Sequence, residues 1–286
     1  PVEFSALPLS QSPELSRESF PSISQVLENY YAAKNALTRI HQKSSDLRRI
    51  VQTALERNQK KYQLQLKQAK DTEKREKYRI YGELLNTYGY SAPEGSKSLT
   101  ALNYYTNQEV TIPLAPELSP QENAKKYFDR YQKLKRTAEA LETLLAETKA
   151  EIEHLETIQT ALDIARSEGD LAQIKEELTA YGYVRRKGPQ NKKGKPLSQP
   201  LHYLSRDGYH IYVGKNNYQN EELTFRTATG NDWWFHAKGR PGSHVIVKSE
   251  NQELPDATFE DAARLAAYYS SGRTAPKVEV DYIQKK

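Results

Sequence analysis

Asp232, His236 and His244 combine a carboxylate with two imidazoles, a donor set that suits zinc or iron. Their spacing matches no strong metal motif, so no metal is assigned. Ser243 directly precedes His244, and on a strand adjacent residues point to opposite faces, which argues against a nucleophile and base pair. The same alternation separates Trp233 from Trp234. One ring then belongs to a core and the other offers a stacking surface for an unpaired base, with burial of both left open. Gly239 to Gly242 brackets Arg240 and Pro241 in a tight turn whose backbone amides and guanidinium suit phosphate, and Gly214 opens a similar polar turn through Lys215, Asn216 and Asn217. Arg185, Arg186, Lys187, Lys192, Lys193 and Lys195 lie among prolines and glycines that keep a backbone extended. Such a density of cations favours phosphate contact over a merely solvated linker. No Walker loop, nucleophile elbow, metalloprotease helix or dinucleotide fingerprint is present, so neither an enzyme nor a cofactor is expected.

These residues share a polyanion theme that the overall charge hides. The net charge is only +5, but Arg185 to Lys215 holds eight Lys or Arg against one acid, Asp207. Hydrophobic residues make up 37% of the 286-residue chain and charged residues 28%, which is lean for two globules but suits long helices that bury only a narrow seam. With no cysteine there is no disulfide framework and no thiolate chemistry. No apolar run is long enough to span a bilayer, so no membrane insertion is expected. The chain starts at Pro1 and stops at Lys286 just after a strand-like run, which reads as a piece of a longer protein.

The elements that position the candidates follow from period and punctuation. After a Ser/Pro-rich lead-in (1–21), Ser22 or Ser24 caps a helix free of proline and glycine until Gly82, read as running to Tyr88. Val26, Tyr30, Ala33, Leu37, Ile40, Ser44, Leu47, Val51 and Ala54 alternate by four and three, and the seam then shifts by about one residue. Ser119-Pro120-Gln121-Glu122 starts a second long helix, ending near Gly169, with a matching seam from Leu134 to Leu162. The reading is an antiparallel coiled-coil arm over 22–169 with a small β-hairpin, about 97–114, at its tip. Asp170 caps a short helix to Tyr181, and a basic linker completes residues 170–200. The remainder, 201–286, changes period: strands at His202–Ser205, Tyr209–Val213, Glu222–Thr227, Trp233–Ala237, His244–Lys248 and Val278–Ile283, and a helix over Ala257–Ser271. The fold class is therefore α+β and multi-domain, a long helical arm followed by a compact α+β domain.

Three stretches resemble the NFACT, or fibronectin-binding protein A, family. They are Glu122-Asn123-Ala124-Lys125-Lys126-Tyr127-Phe128 with Tyr131 to Lys135, then Val213 to Asn220, then Asp232 to Ala237 followed by Pro241 to Val245. The resemblance covers essentially the whole chain and implies the family's coiled-coil and middle region plus its R domain, with the N-terminal domain and the end of the R domain absent. The chain departs from the family at Leu114-Ala115-Pro116, where an aspartate is usual. What the resemblance implies is a non-catalytic, RNA-binding part of a ribosome-associated quality-control factor in the cytoplasm. Its partners would be the large ribosomal subunit with its rRNA, and tRNA recruited for C-terminal alanine tailing of stalled chains. The alternative is an anchorless fibronectin-binding adhesin on the surface of a Gram-positive bacterium. Oligomeric state is left unassigned.

Overall fold

Heptad-spaced apolar residues can be buried only by a second helix, and the chain supplies one. The computed structural model describes Ser5, residues 18–185 and residues 198–286. It is a mixed α+β structure with two long helices, α1 (Ile23–Thr72) and α3 (Pro120–Ile164). The chain divides into two compact units, residues Glu56–Ile152 and the remainder. Among the described residues no helix is long and apolar enough to cross a membrane.

In the unit Glu56–Ile152 the first long helix is interrupted. The helix read as running unbroken to Tyr88 stops at Thr72 and resumes as α2 (Arg75–Tyr88). Thr72 turns its hydroxyl back onto the Ala69 carbonyl (2.6 Å) and Glu73 N–H reaches only to Lys70 (3.2 Å). This tighter closure ends the α-helical ladder without proline or glycine. Two strands follow, β1 (Ser98–Asn103) and β2 (Gln108–Pro113), paired antiparallel with Ala101 opposite Val110. Their period-two pattern buries Leu99, Ala101 and Ile112, with Leu99 and Ile112 packed against Tyr81, Leu84, Leu85 and Ala124. Asn107 takes the left-handed conformation (φ 55°) that lets the chain reverse. Helix α3 starts as its sequence dictates: Ser119 Oγ accepts from Glu122 N–H (3.3 Å) while the Glu122 carboxylate accepts from Ser119 N–H (2.8 Å). Asn123, 2% exposed, accepts from Ala115 N–H and donates to the carbonyls of Ala115, Leu118 and Ser119, so it organises the loop that holds the family departure at Ala115.

Gly82 permits a close helix approach in this unit. A Cβ there would lie 2.8–3.0 Å from three atoms of the Phe128 ring. Gly82→Ala is expected to lower stability by about 1–3 kcal/mol, less the helix-propensity gain of about 1 kcal/mol, in urea unfolding of the chain. A net stabilisation would show that the ring moves aside at no cost.

In the other unit the start of α1 and the end of α3 run antiparallel. Seam residues Ile40, Ser44, Leu47, Val51 and Ala54 are buried, and Leu155, Ile158 and Leu162 of α3 are at most 2% exposed. Arg48 pairs with Asp163 and donates to the Leu162 carbonyl (2.6 Å), and Lys43 pairs with Glu168. Helix α4 (Glu168–Ala180) is capped by Ser167, not by Asp170. Asp170 instead completes the capping box from the third helical position, because its carboxylate must also accept from Arg166 N–H.

The same unit holds a five-stranded antiparallel sheet in the order β3-β4-β6-β5-β7, formed by β3 (Leu201–Leu204), β4 (His210–Val213), β5 (Trp233–Ala237), β6 (Val245–Val247) and β7 (Val280–Gln284). The strand read at Glu222–Thr227 is instead helical. Asn216 caps α5 (Asn217–Glu222), which widens into a π-type turn over Leu223–Thr227, closed by Ala228 N–H on the Leu223 carbonyl (2.8 Å). One apolar anchor, Leu223 at 1% exposure, is all this segment buries deeply, so no strand alternation is required of it. Helix α6 (Asp256–Tyr268) begins after Pro255, which takes the cap position expected of Asp256 or Thr258. It packs Ala262 and Ala266 over Ile211, Val213, Phe235, Val245 and Val247, and Ile164 from the end of α3 joins that core.

Candidate nucleic-acid interface

The sheet face away from α6 carries rings where a second helix would otherwise lie. Cross-strand register places His202, Tyr212, Ile246, Trp234 and Ile283 in one row across all five strands. Leu223 and Ala228 cover the middle of this row, over Ile246, with Tyr212 and Trp234 packed partly against them. A group of rings is left on each flank. On one, His202 stacks on Tyr212 and on His210 (4.9 Å each), with His202 Nε2 and His210 Nδ1 2.7 Å apart. On the other, Trp234 stacks on His236 (5.6 Å) and meets His244 edge-on (5.2 Å). Phe225 of the π-type turn stands 73% exposed and Arg226 beside it is also exposed.

Burial favours the neutral form of the two histidines of the tryptophan flank. Burial, followed by the neighbouring His236, pushes His244 down to about 4, and burial also lowers His236 against the opposing pull of the Gly242 carbonyl and Asp281. Asn220 Oδ1 accepts from His244 N–H (3.0 Å) and Thr224 Oγ lies 2.7 Å from His244 Nδ1. A base with a depressed pKa binds a proton in the unfolded chain first. Stability from His244 is therefore full above its ordinary value of ~6.5 and is lost as pH falls towards about 4. Proton NMR titration is expected to keep the His244 ring neutral at pH 5, and His244→Gln to flatten the stability profile between those limits. Protonation near pH 6.5 would place the ring in water.

The other candidates are distributed more widely. Trp233 points to the α6 face, edge-on to Phe259 (4.7 Å), so the pair of tryptophans divides as strand alternation requires, with both rings only half-buried. Asp232 does not join the histidines. It is 2% exposed, accepts from Thr229 N–H and Ser249 N–H and pairs with Lys248, clamping a turn. Burial pushes its carboxyl up, but these donors outweigh burial and hold it below the usual range. Among the described residues no three carboxylate or imidazole side chains converge on a metal site. Arg240 is exposed on its turn beside left-handed Gly239 (φ 59°), whereas Ser243 is buried, its N–H on the Tyr269 carbonyl (2.9 Å). Arg185 is exposed at the end of the turn after α4; Arg186, Lys187, Lys192, Lys193 and Lys195 lie outside the described residues.

Lys215, Asn216 and Asn217 turn into the chain instead of outward. The Lys215 ammonium, in a side chain 10% exposed, sits 2.6 Å from the buried Asp170 carboxylate. Asn216 donates to Gln173 Oε1 (2.7 Å), and Asn217 donates to Glu177 Oε1 (2.6 Å) and Thr157 Oγ (2.9 Å). Gln219 adds bonds to Gln173 and Ser198. This turn therefore fastens the sheet to α3 and α4 through charge-assisted and amide hydrogen bonds. Gly214 is what lets it close. A Cβ there would sit 2.1 Å from Asn220 Oδ1 and 3.0 Å from Asn220 N. Gly214→Ala is expected to cost about 1–3 kcal/mol in urea unfolding, with the His244 resonances displaced because Asn220 holds that backbone.

Sequence reasoning missed His202, His210 and Tyr212 as a ring group, and Phe225 as an exposed ring. The first had a signal, since alternate positions on two strands of a hairpin face one side. Phe225 had none, because its segment reads as a strand.

Two family models divide the chain. Residues 1–196 match the NFACT N-terminal and middle domains, and residues 199–285 match the NFACT protein RNA binding domain. The chain is 43% identical to the Rqc2 homolog RqcH of Streptococcus pneumoniae over its whole length, and 37% identical to that of Bacillus subtilis over 93% of its length. It spans about half the length of these relatives, 51% and 47% respectively. A solved structure of the C-terminal part of the fibronectin/fibrinogen-binding protein from Streptococcus suis is similar, with a TM-score of 0.64 and 36% identity, covering 86% of this chain and 85% of that one. With the two family models together covering residues 1–196 and 199–285, and ring-lined strands in the part that matches the RNA-binding domain, this chain belongs to the NFACT family.

Proposed function

We propose that residues 201–286 bind RNA of the large ribosomal subunit, as a non-catalytic part of ribosome-associated quality control, and that the protein recruits tRNA for C-terminal alanine tailing of stalled chains. The observation that carries the RNA reading is the row of rings on the sheet face away from α6. Trp234 with neutral His236 and His244 on one flank and His202 with Tyr212 on the other offer π-faces to unpaired bases without requiring a particular sequence. Exposed Arg226 and Arg240, with the cations from Arg185 to Lys195, supply phosphate contact. Base stacking contributes about 1–3 kcal/mol per base, so Trp234→Ala with Phe225→Ala is expected to weaken binding of a single-stranded RNA by tenfold or more while cosedimentation with large subunits falls in parallel. Unchanged RNA affinity in a folded double variant would remove the ring face from the interface. We further infer that the matched seams of α1 and α3 form a coiled-coil arm over 22–169 carrying the β1–β2 hairpin at its tip, with 170–200 as the connection to the RNA-binding part. A second reading, fibronectin binding, draws support from the similarity to the streptococcal fibronectin/fibrinogen-binding protein. Immobilised fibronectin tested beside purified large subunits separates the two.

A further inference from the structure

The stem formed by α1 between Leu55 and Thr72 buries a seam that is half polar. Leu55, Asn58, Tyr62, Gln65, Ala69 and Thr72 follow the four-three alternation, and every second one carries an amide or a hydroxyl. Gln65 is 6% exposed, and its Oε1 is buried without a hydrogen-bond partner among the described residues. On α3, Thr148 is 1% exposed and its hydroxyl is orphaned in the same way. Leu64 and Leu66, the sequence neighbours of Gln65, stand 56% and 40% exposed. Burying an unpaired amide oxygen is costly, and a leucine in water forgoes the gain of burial. The frame of the structure therefore hides a poor seam residue and leaves a good one outside.

Leu55, Tyr62 and Ala69 recur every seven residues and serve a second frame equally well. In that frame Gln59, Leu66 and Glu73 replace Asn58, Gln65 and Thr72 on the inner side. Passing from one to the other takes a roll of α1 about its own axis by about 50°, half the angle between successive helix residues. Leu66 is then buried and the Gln65 amide reaches water. Tyr62 and Ala69, half-buried in the structure, stay on the seam throughout. Glu73 lies beyond the end of α1 and need not follow, and the interruption before α2 keeps the roll from being forced on that helix. At the other end Ala54 and Leu55 are both buried, so the seam can pass from one line of residues to the next there.

We propose that α1 between Leu55 and Thr72 is a two-state element that rolls between these frames, one burying Gln65 and the other Leu66. A contact on the Leu66 side holds the first and a contact on the Gln65 side holds the second, so a partner on either side biases the stem. The inference rests on the pairing of the α1 and α3 seams. The test is methyl NMR of the leucine-labelled 286-residue chain with a soluble gadolinium chelate, which relaxes methyl groups according to their access to solvent. Gln65→Glu places a charge where burial is prohibitive and should drive the roll. In that variant relaxation of the Leu66 methyls is expected to fall by about fivefold or more, as the population moves to the frame that buries them. Leu64 should stay accessible and Leu141, 5% exposed on α3, should stay protected. Gln65→Leu should hold Leu66 at its wild-type accessibility and raise the melting temperature, because an apolar residue then fills the observed frame. The proposal is overturned if Leu66 remains as accessible in Gln65→Glu as in the wild type. It is equally overturned if Leu141 becomes accessible there or helix content by circular dichroism falls, since the stem would then open instead of rolling. Leu141 already accessible in the wild type would instead show that the two seams are not paired, a separate failure that also removes the second frame.

Discussion

Asp170→Ala is expected to destabilise the protein by about 3–5 kcal/mol in urea unfolding, the range for removing one partner of a buried ion pair. The variant strands the Lys215 ammonium in a site where its side chain is 10% exposed, and it removes the acceptor of the Arg166 and Ser167 N–H groups at the start of α4. Lys215→Met in the same background is expected to recover about 1 kcal/mol or more, because no unpaired charge then remains. Burial alone would raise the Asp170 carboxyl. Bonds from Lys215, Ser198 and Arg166 N–H outweigh it and hold the group below the ordinary range. The stabilisation is therefore complete above the unfolded value of ~3.9 and disappears as pH falls through the lower folded value. A stability gap between wild type and Asp170→Ala that stays constant as pH is lowered through and below that range would contradict this pairing. So would a single variant that loses under about 1 kcal/mol, the value of an exposed surface pair.

The second large effect is on RNA affinity. Replacing Arg185, Arg186, Lys192 and Lys193 with alanine is expected to lower the slope of log affinity against log salt by about 3, since each phosphate left unneutralised reduces counterion release by about 0.7–0.9. At low salt the variant should bind structured RNA at least tenfold more weakly, and the difference should shrink as salt rises. Trp234→Ala should act otherwise, reducing affinity by a similar factor at every salt concentration because stacking releases few ions. A quadruple variant with the wild-type slope would clear this loop of phosphate contact.

Much of the fold is legible in the sequence because repeated patterns carry it. The seam from Ile40 to Ala54 is buried at the positions that the four-three alternation marks, and Ser119 and Glu122 start α3 as their types require. The Trp233–Ala237 strand is legible to the residue. Failures fall where a single interaction decides. Nothing in the period foretells that Thr72 closes α1 early, and the Glu222–Thr227 segment has strand-like composition but a helical cap, Asn216, just upstream. The site is less legible than the fold. Lys215, Asn216 and Asn217 have the composition of a phosphate-binding turn, and only the three-dimensional placement of Asp170, Gln173 and Glu177 shows where their donors go.

Ile164, the last residue of α3, lies in the hydrophobic core beneath the sheet, and the polar turn after β4 is bonded to α4. The end of the long helix and the strands consequently open and close together. In native-state hydrogen exchange the amides of the last two turns of α3, of α4 and of β4 to β6 should share one opening free energy and one denaturant dependence, forming a single foldon. A polypeptide cut at Leu201 would lack several of the supports on which that foldon rests: the Ile164 side chain, the Asp170 charge and the Gln173 and Glu177 acceptors. It should populate a loosened, dye-binding state with strand content but no fixed side-chain resonances.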